Sequence, residues 1–325
     1  MNRREFLMSG SALAAATLVR AAEPQRALIA ITLDLEMSRN FPTWEMTHWD
    51  FEKGNLNDET KKYAVEAARR VRERGGRVHF FALGRTLEQE NIDWLQQIAS
   101  AGHPIGNHTY DHVNVRATMP ADIQFRFQRS PWLIEGRQPA EVIRENIRLT
   151  NAALKSRLGI ETAGFRTPGG FATGLAERDD VQKMLLELGF PWVSSKYPAH
   201  ANTQPMEEPS AEVLASIVAA QKDAQPFRYP SGLIEVPMSP ISDIGAFRTG
   251  RWKLEWYLRA VRAGVEWAIE HRGCYDFLAH PSCLYVVDPK FQAIDLICDL
   301  VEQSRDKAEL ATLDQIAVRA AGLNQ

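Results

Sequence analysis

The chain has 325 residues, of which 45% are hydrophobic and 24% are charged, and its formal net charge is -3. This length and composition suit one large domain with its own core, and the slightly acidic balance argues against a nucleic-acid-binding protein. No internal repeat, low-complexity tract or long linker divides the chain.

The first 22 residues have the pattern of an export signal. Arg3 and Arg4 precede an apolar run that ends in small residues suited to cleavage. Paired arginines at this place are typical of twin-arginine export. Sec-type export, a retained anchor and an amphipathic helix remain alternatives. We expect an exported protein, periplasmic or secreted, with one catalytic domain at 23–325 and no stable membrane span after signal removal.

From residue 27 onward, strand patterns alternate with helix patterns. The continuous apolar run at 27–33 is typical of a strand that is buried on both faces. A long excursion with aromatic and Pro residues follows at 113–138, and such a loop usually has a function or covers a domain edge. The alternation predicts a parallel sheet or barrel. The predicted strands are 27–33, 77–82, 103–106, 162–165, 190–194, 233–237 and 275–279, and the predicted helices are 61–74, 88–101, 141–158, 181–188, 211–222, 253–271, 291–305 and a closing helix in 310–321.

Two histidines, His108 and His112, stand four residues apart directly after a predicted strand. On a helical turn they would share one face, so both rings could bind a single cation. Imidazole favours zinc and its first-row neighbours. The same spacing also occurs on solvated helix faces, and a carboxylate at a nearby strand end would favour the metal site.

Two carboxylates, Asp34 and Glu36, lie at the end of the first predicted strand. In extended backbone, residues i and i+2 point to the same face. One could bind a metal while the other acts as a general base, as metal-assisted hydrolysis requires. A solvated strand end is the alternative for this pair alone.

Two further polar residues end predicted strands. Arg166 precedes the turn Thr-Pro-Gly-Gly, and His280 follows Phe-Leu-Ala. A surface cation and a capping residue are the simpler interpretations. Their placement nevertheless favours catalysis, because (β/α) folds gather their working residues at the carboxyl ends of the strands.

In this order, Thr-Leu-Asp-Leu-Glu, His-Thr-Tyr-Asp-His, Arg-Thr-Pro-Gly and Leu-Ala-His resemble the polysaccharide deacetylase family, the NodB homology domain of carbohydrate esterases. The resemblance covers about residues 27–285. It implies a deformed (β/α) barrel of the α/β class. It also implies one divalent metal ion, expected to be zinc, and hydrolysis of an N- or O-acetyl group on a carbohydrate.

The resemblance also implies roles for individual residues. The expected catalytic residues are Asp34 as the base, Arg166 as the arginine that holds this base, and His280 as the acid. Leu278 and Pro168 are expected to contact the substrate.

The metal ligands follow from the same resemblance. His108 and His112 match the metal-binding histidines. The usual second aspartate is replaced by Leu35, so Glu36 is expected as the third protein ligand. The alternative is that Asp34 binds the metal. Serines stand at Ser194 and Ser195, where many members carry an aspartate that orients the acid histidine.

Two other functions remain open. An allantoinase-like amidohydrolase would act on a small-molecule amide, and a non-catalytic relative would only bind a carbohydrate. The expected partner is therefore an acetylated glycan or a small amide, with no nucleic acid. Cys274, Cys283 and Cys298 lack zinc-ribbon spacing and are expected to be buried, although export would permit one disulfide.

Overall fold

The computed structural model describes residues 25–46 and 53–322. The predicted export signal therefore lies outside the described residues. No described helix is both long and apolar enough to cross a membrane.

The described strands form one curled sheet in the order β6-β7-β5-β4-β3-β2-β1-β8, and β9 pairs with β1. Every pairing is parallel except that of β6 with β7. Within the described residues no pairing joins β8 to β6, so the barrel stays open on that side. The predicted deformed (β/α) barrel is confirmed. The strands are β1 Ala27–Leu35, β2 Val78–Ala82, β3 Ile105–Asn107, β4 Phe165–Phe171, β5 Trp192–Lys196, β6 Phe227–Arg228, β7 Ile234–Glu235, β8 Cys274–Ala279 and β9 Ala308–Leu310.

The first strand is central because neighbours flank it on both edges and core side chains cover both of its faces. All nine residues of β1 are buried. Burying side chains such as Ile29, Ile31 and Leu33 stabilises the fold by about 1.5–3 kcal/mol each. The register pairs Asp34 with Phe81 of β2, so the carboxylate of Asp34 lies at the edge of the sheet where β2 also ends.

The helices pack around this sheet and begin and end at identifiable residues. Asn57 caps the helix at 58–73 by accepting a hydrogen bond from Thr60 N at 2.9 Å. Gly159 ends the helix at 139–158 in the left-handed conformation, with φ 68°. The α-helices are α1 Asp58–Glu73, α2 Asp93–Ser100, α3 Pro120–Ile123, α4 Phe125–Arg129, α5 Pro139–Leu158, α6 Asp179–Glu187, α7 Ala211–Ala220, α8 Leu254–Glu270, α9 Pro281–Val287, α10 Gln292–Gln303 and α11 Leu313–Gly322; 3-10 turns lie at Gly84–Glu88, Pro131–Ile134 and Gln221–Ala224, and a π-helix lies at Ile244–Thr249.

Some element boundaries differ from the prediction. In the segment predicted as one helix at 88–101, a 3-10 turn ends at Glu88 and α2 begins only at Asp93, and the strand predicted at 162–165 starts only at Phe165. The excursion at 113–138 holds two short α-helices and a 3-10 turn. Ile123, Phe127 and Ile134 are buried there in a core cluster shared with α5. The excursion therefore covers an edge of the domain.

The three cysteines match the prediction of buried, small apolar side chains. Cys274, Cys283 and Cys298 are all free thiols within the described residues, and each is buried.

Candidate active site

The predicted site residues meet at the carboxyl edge of the sheet, around a cavity of about 840 Å³. Arg166 lies beneath this cavity and contacts Asp34. The structure thus brings together every residue that the motifs singled out. Those that line the cavity are Asp34, Glu36, His108, His112, Pro168, Leu278 and His280.

The two histidines are brought together by a bent loop, so the prediction of a helical turn is wrong. Thr109 and His112 have positive φ angles of 63° and 60°. Asn107 Oδ1 accepts a hydrogen bond from Thr109 N at 2.7 Å, and Thr109 Oγ1 accepts one from Val113 N at 3.0 Å. These local bonds stabilise a conformation that repeated helical dihedrals would not give.

Glu36 and the two histidines form a set of donor atoms that lie within 4.8 Å of one another. Glu36 Oε2 lies 2.9 Å from His112 Nε2 and 3.4 Å from His108 Nε2. Zinc ligands about 2.0–2.2 Å from their ion are themselves separated by roughly 3–3.5 Å in a tetrahedron. The spacing of these donors therefore fits one small divalent cation.

The protonation of the donors fits a cation as well. His108 Nδ1 lies 3.0 Å from the carbonyl oxygen of Arg166. Because a carbonyl only accepts, Nδ1 carries the hydrogen, and the Nε2 of a neutral His108 presents its lone pair to the cavity. Glu36 Oε2 is buried and makes no hydrogen bond of acceptable geometry. A divalent ion would satisfy both atoms.

Lys53 is a member of the site that the sequence gave no reason to choose. Its buried ammonium forms a short ion pair with Glu36 Oε1 and lies 3.2 Å from His112 Nε2. Burial lowers the pKa of Lys53, and the negative charge of Glu36 opposes that shift. Burial would raise the pKa of Glu36, but the charges of His112 and Lys53 hold this pKa well below its usual value.

Asp34 is held by the fully buried Arg166. Arg166 Nη1 donates to Asp34 Oδ1 at 3.0 Å and to Thr32 Oγ1 at 2.7 Å. Its Nη2 donates to Asp276 in a second ion pair, and its guanidinium lies 4.4 Å from the ring centroid of Phe81. Arg166 is therefore fixed in place and cannot act as a mobile surface cation.

Asp276 is the second carboxylate of this network, and sequence reasoning missed it. Burial raises its pKa to about 6, against the opposing charge of Arg166. A usable signal was present, because an aspartate inside the apolar run Tyr-Asp-Phe-Leu-Ala has to be paired when its strand is buried.

His280 is oriented by Asp243, and not by a residue near Ser194. His280 Nδ1 lies 3.0 Å from Asp243 Oδ1, and the backbone N of His280 donates to Asp243 Oδ2 at 2.8 Å. Burial alone would lower the pKa of His280, but the charge of Asp243 and its hydrogen bond raise it. The ring therefore presents Nε2 to the cavity, 3.6 Å from Glu36 Oε1.

The two serines have other partners. Ser194 Oγ accepts hydrogen bonds from Arg166 Nε at 3.3 Å and from Nη2 at 3.2 Å. Ser195 donates through its backbone N to Glu235 Oε1 at 2.6 Å and through its hydroxyl to Glu235 Oε2 at 2.5 Å. Ser194 thus supports Arg166, and Ser195 binds Glu235.

The aromatic residues are divided between the cavity and the surface. Phe125 lines the cavity. Trp132 is 67% exposed and lies outside the cavity lining, and Trp44 stacks under Arg251 at 3.8 Å. A cavity with paired acids, a histidine donor set and an arginine-held carboxylate contains the side chains that metal-assisted hydrolysis requires.

Comparison with known proteins relates part of the chain to one family. Residues 50–192 match the polysaccharide deacetylase family model. The match covers somewhat less than half of the chain and confirms the resemblance that the motifs indicated. The matched segment contains His108, His112 and Arg166, whereas Asp34 and His280 lie outside it.

Solved structures show the same fold at low sequence identity. A candidate polysaccharide deacetylase from Mycobacterium smegmatis is 17% identical, with a TM-score of 0.59 and 93% of each chain covered. A second candidate, from Pseudomonas aeruginosa PAO1, is 13% identical, with a TM-score of 0.59, covering 90% of this chain and 89% of the other. The Puue allantoinase is 12% identical, with a TM-score of 0.57 and 91% of each chain covered. None of the curated proteins matches the chain at a significant level.

Proposed function

We propose that the protein is a metal-dependent hydrolase that removes acetyl groups from a carbohydrate. The observation that carries this proposal is the position of an acid and a base beside one donor set. Asp34 Oδ2 lies 3.8 Å from His108 Nε2, and His280 Nε2 lies 3.6 Å from Glu36 Oε1. A substrate carbonyl next to Glu36, His108 and His112 would therefore be within reach of both groups.

Glu36, His108 and His112 are the residues proposed to hold the ion. Two imidazoles and one carboxylate suit zinc, with an open position left for water and substrate. Such an ion would polarise the acetyl carbonyl and acidify a water molecule.

The side chains of the protein would move the protons. Arg166 binds Asp34 Oδ1 and leaves Oδ2 to accept the proton of the attacking water. His280 would then donate its Nε2 proton to the departing amine or alkoxide. Asp243 fixes the ring for that transfer by binding Nδ1. Leu278 and Pro168 lie in the cavity wall, where they would contact the acetylated sugar.

Acetate release from a substrate panel tests this proposal. The panel comprises acetylated chitooligosaccharides, acetylated xylan, peptidoglycan fragments and small cyclic and linear amides. We expect acetate from at least one glycan, together with loss of both bound metal and acetate release in the double variant His108→Ala, His112→Ala. Turnover of amides alone would favour the allantoinase-like alternative, and glycan binding without acetate at any metal loading would favour a non-catalytic relative.

We also propose that the protein is exported through its first 22 residues. The support is the pair Arg3 and Arg4 ahead of an apolar run. Replacing both arginines by lysine in a reporter fusion should retain the reporter in the cytoplasm. Unchanged export of that variant would point to a signal that does not depend on the arginine pair.

A further inference from the structure

One wall of the active-site cavity carries Arg248, an arginine that pairs with no carboxylate of the described residues. It lies in the π-helix Ile244–Thr249, five residues after Asp243, and is half-buried. Arg248 has no ion-pair or hydrogen-bond partner in 25–46 or 53–322, whereas Arg70, Arg85 and Arg144 each pair with a carboxylate. The positive charge of Arg248 adds to the lowering of the pKa of Lys53 by burial, so its field extends to the centre of the site.

Two further arginines line the same cavity. Arg39 follows the first strand and is exposed, and it forms no ion pair within the described part of the chain. Arg129 lies over the ring of Phe125, with its guanidinium 4.4 Å from the ring centroid. Together with Arg248, they surround the space that a substrate would enter.

The acids in the cavity lining do not balance the charges of Arg39 and Arg248. Asp34 is bound by Arg166, and Glu36 is bound by Lys53. Among the described lining residues only Asp122 remains as a further carboxylate. The cavity is therefore cationic in a chain whose net charge is -3, and a bound divalent ion would make it more so.

A half-buried guanidinium without a partner gives up hydration and gains no ion pair in return. Its planar fork matches the two oxygens of a carboxylate or the oxygens of a sulfate. A neutral sugar offers only hydroxyl and acetyl groups, which leave such a charge uncompensated. The charge of the cavity thus favours a substrate that carries oxyanions.

We propose that the substrate is an acidic acetylated glycan whose oxyanion binds to Arg248, with Arg39 attracting the chain at the cavity mouth. This inference rests on the proposed deacetylase function. The oxyanion would be a uronic carboxylate or a sulfate ester, since each presents two charged oxygens that one guanidinium can bind together. Arg248 then determines substrate preference, and Asp34 and His280 carry out the chemistry.

The test compares substrates that differ only in charge. Acetylated polygalacturonate with free carboxylates is compared with its methyl ester, and a sulfated acetylated glycan with its desulfated form. We expect kcat/KM to favour one acidic member by about tenfold or more, mainly through KM, with a preference that falls as salt rises. The preferred acidic member identifies the source of the oxyanion. Equal rates within both pairs would overturn the inference.

Substitutions of Arg248 test whether this residue causes the preference for the acidic substrate. Arg248→Gln should abolish the preference for the acidic member, and Arg248→Lys should restore part of it because the charge returns without the planar fork. The matched control is Arg259→Gln, since Arg259 pairs with Glu208 on the surface outside the cavity. A full preference in Arg248→Gln would contradict the proposal.

A binding experiment tests the oxyanion site independently of acetate release. Calorimetric titration with oligogalacturonate that lacks acetyl groups should show binding to the wild type and about tenfold weaker binding to Arg248→Gln. If no substrate releases acetate while this difference persists, the deacetylase function fails and the oxyanion site stands. If acetate is released without any charge preference, the deacetylase function stands and the oxyanion site fails.

Discussion

Replacing Asp243 by asparagine should strongly reduce turnover, although this residue does not line the cavity. Asp243 accepts hydrogen bonds from both the backbone N and Nδ1 of His280. A charged acceptor adds about 1–1.5 kcal/mol to each bond relative to a neutral one. Two such bonds correspond to about 2–3 kcal/mol, and hence to roughly 30- to 150-fold in kcat if both contribute to positioning the acid. The amide would also present a donor to one of the two N–H groups.

The assay is steady-state acetate release with Asp243→Asn, corrected for the folded fraction. We expect kcat to fall while KM changes little, because the ring of His280 remains in the cavity but is poorly held. Once His280→Ala has removed the acid, adding Asp243→Asn should cost little more, since Asp243 acts through His280.

Asp288→Asn is the matched control. Asp288 is also fully buried, and it accepts hydrogen bonds from Gln292 N and Ala293 N, both at 2.8 Å, at the start of α10. It should lose stability without a specific loss of kcat. If Asp243→Asn keeps kcat within about threefold of wild type, Asp243 does not position the acid.

Glu36→Gln should lose bound metal on dialysis, whereas Asp34→Asn should keep the metal and lose about 10²- to 10⁴-fold in turnover; the reverse pattern would exchange the two roles. Lys53→Met should bind a divalent ion about tenfold or more tightly in a calorimetric titration, because the ammonium contacts the same donors; weaker binding would mean that Lys53 orients them. Gly164→Ala should destabilise the fold by about 1–3 kcal/mol or more in denaturant unfolding, since its φ is +75° and a Cβ would lie 1.9 Å from an indole atom. Gly159→Ala, with φ +68° and open space around it, should cost less, and equal costs would argue against the steric explanation.

The sequence predicted the elements that depend on local patterns. The buried first strand and the long helices predicted at 141–158 and 253–271 follow from apolar runs and from helical spacing. The motif residues could also be placed at one edge, because parallel strands end together. Strand ends near residue 165 were less predictable, since β4 continues through a Pro-Gly-Gly stretch with a register shift.

The supporting residues could not be predicted in the same way. Asp243 and His280 are 37 positions apart, and Arg166 and Asp276 are 110 apart. No spacing rule connects residues on different elements, so a single sequence shows the motif but not its support. The helical turn predicted for His108 and His112 was wrong for a local reason. Asn107 and Thr109 accept hydrogen bonds from the loop backbone, and these bonds favour left-handed dihedrals over a helix.

Asp34 and Glu36 lie at the end of the first strand, and their proposed roles differ because they have different hydrogen-bond and ion-pair partners. The chain turns directly after Asp34, since Glu36 N donates to the carbonyl of Asp34 at 3.0 Å. Asp34 then faces the buried Arg166, while Glu36 faces the histidines and Lys53. A carboxylate with one oxygen bound to a fixed guanidinium keeps its other oxygen for a proton, whereas one placed between two imidazoles is suited to share a cation. Exchanging the two acids would therefore remove both functions, even though charge and spacing stayed the same.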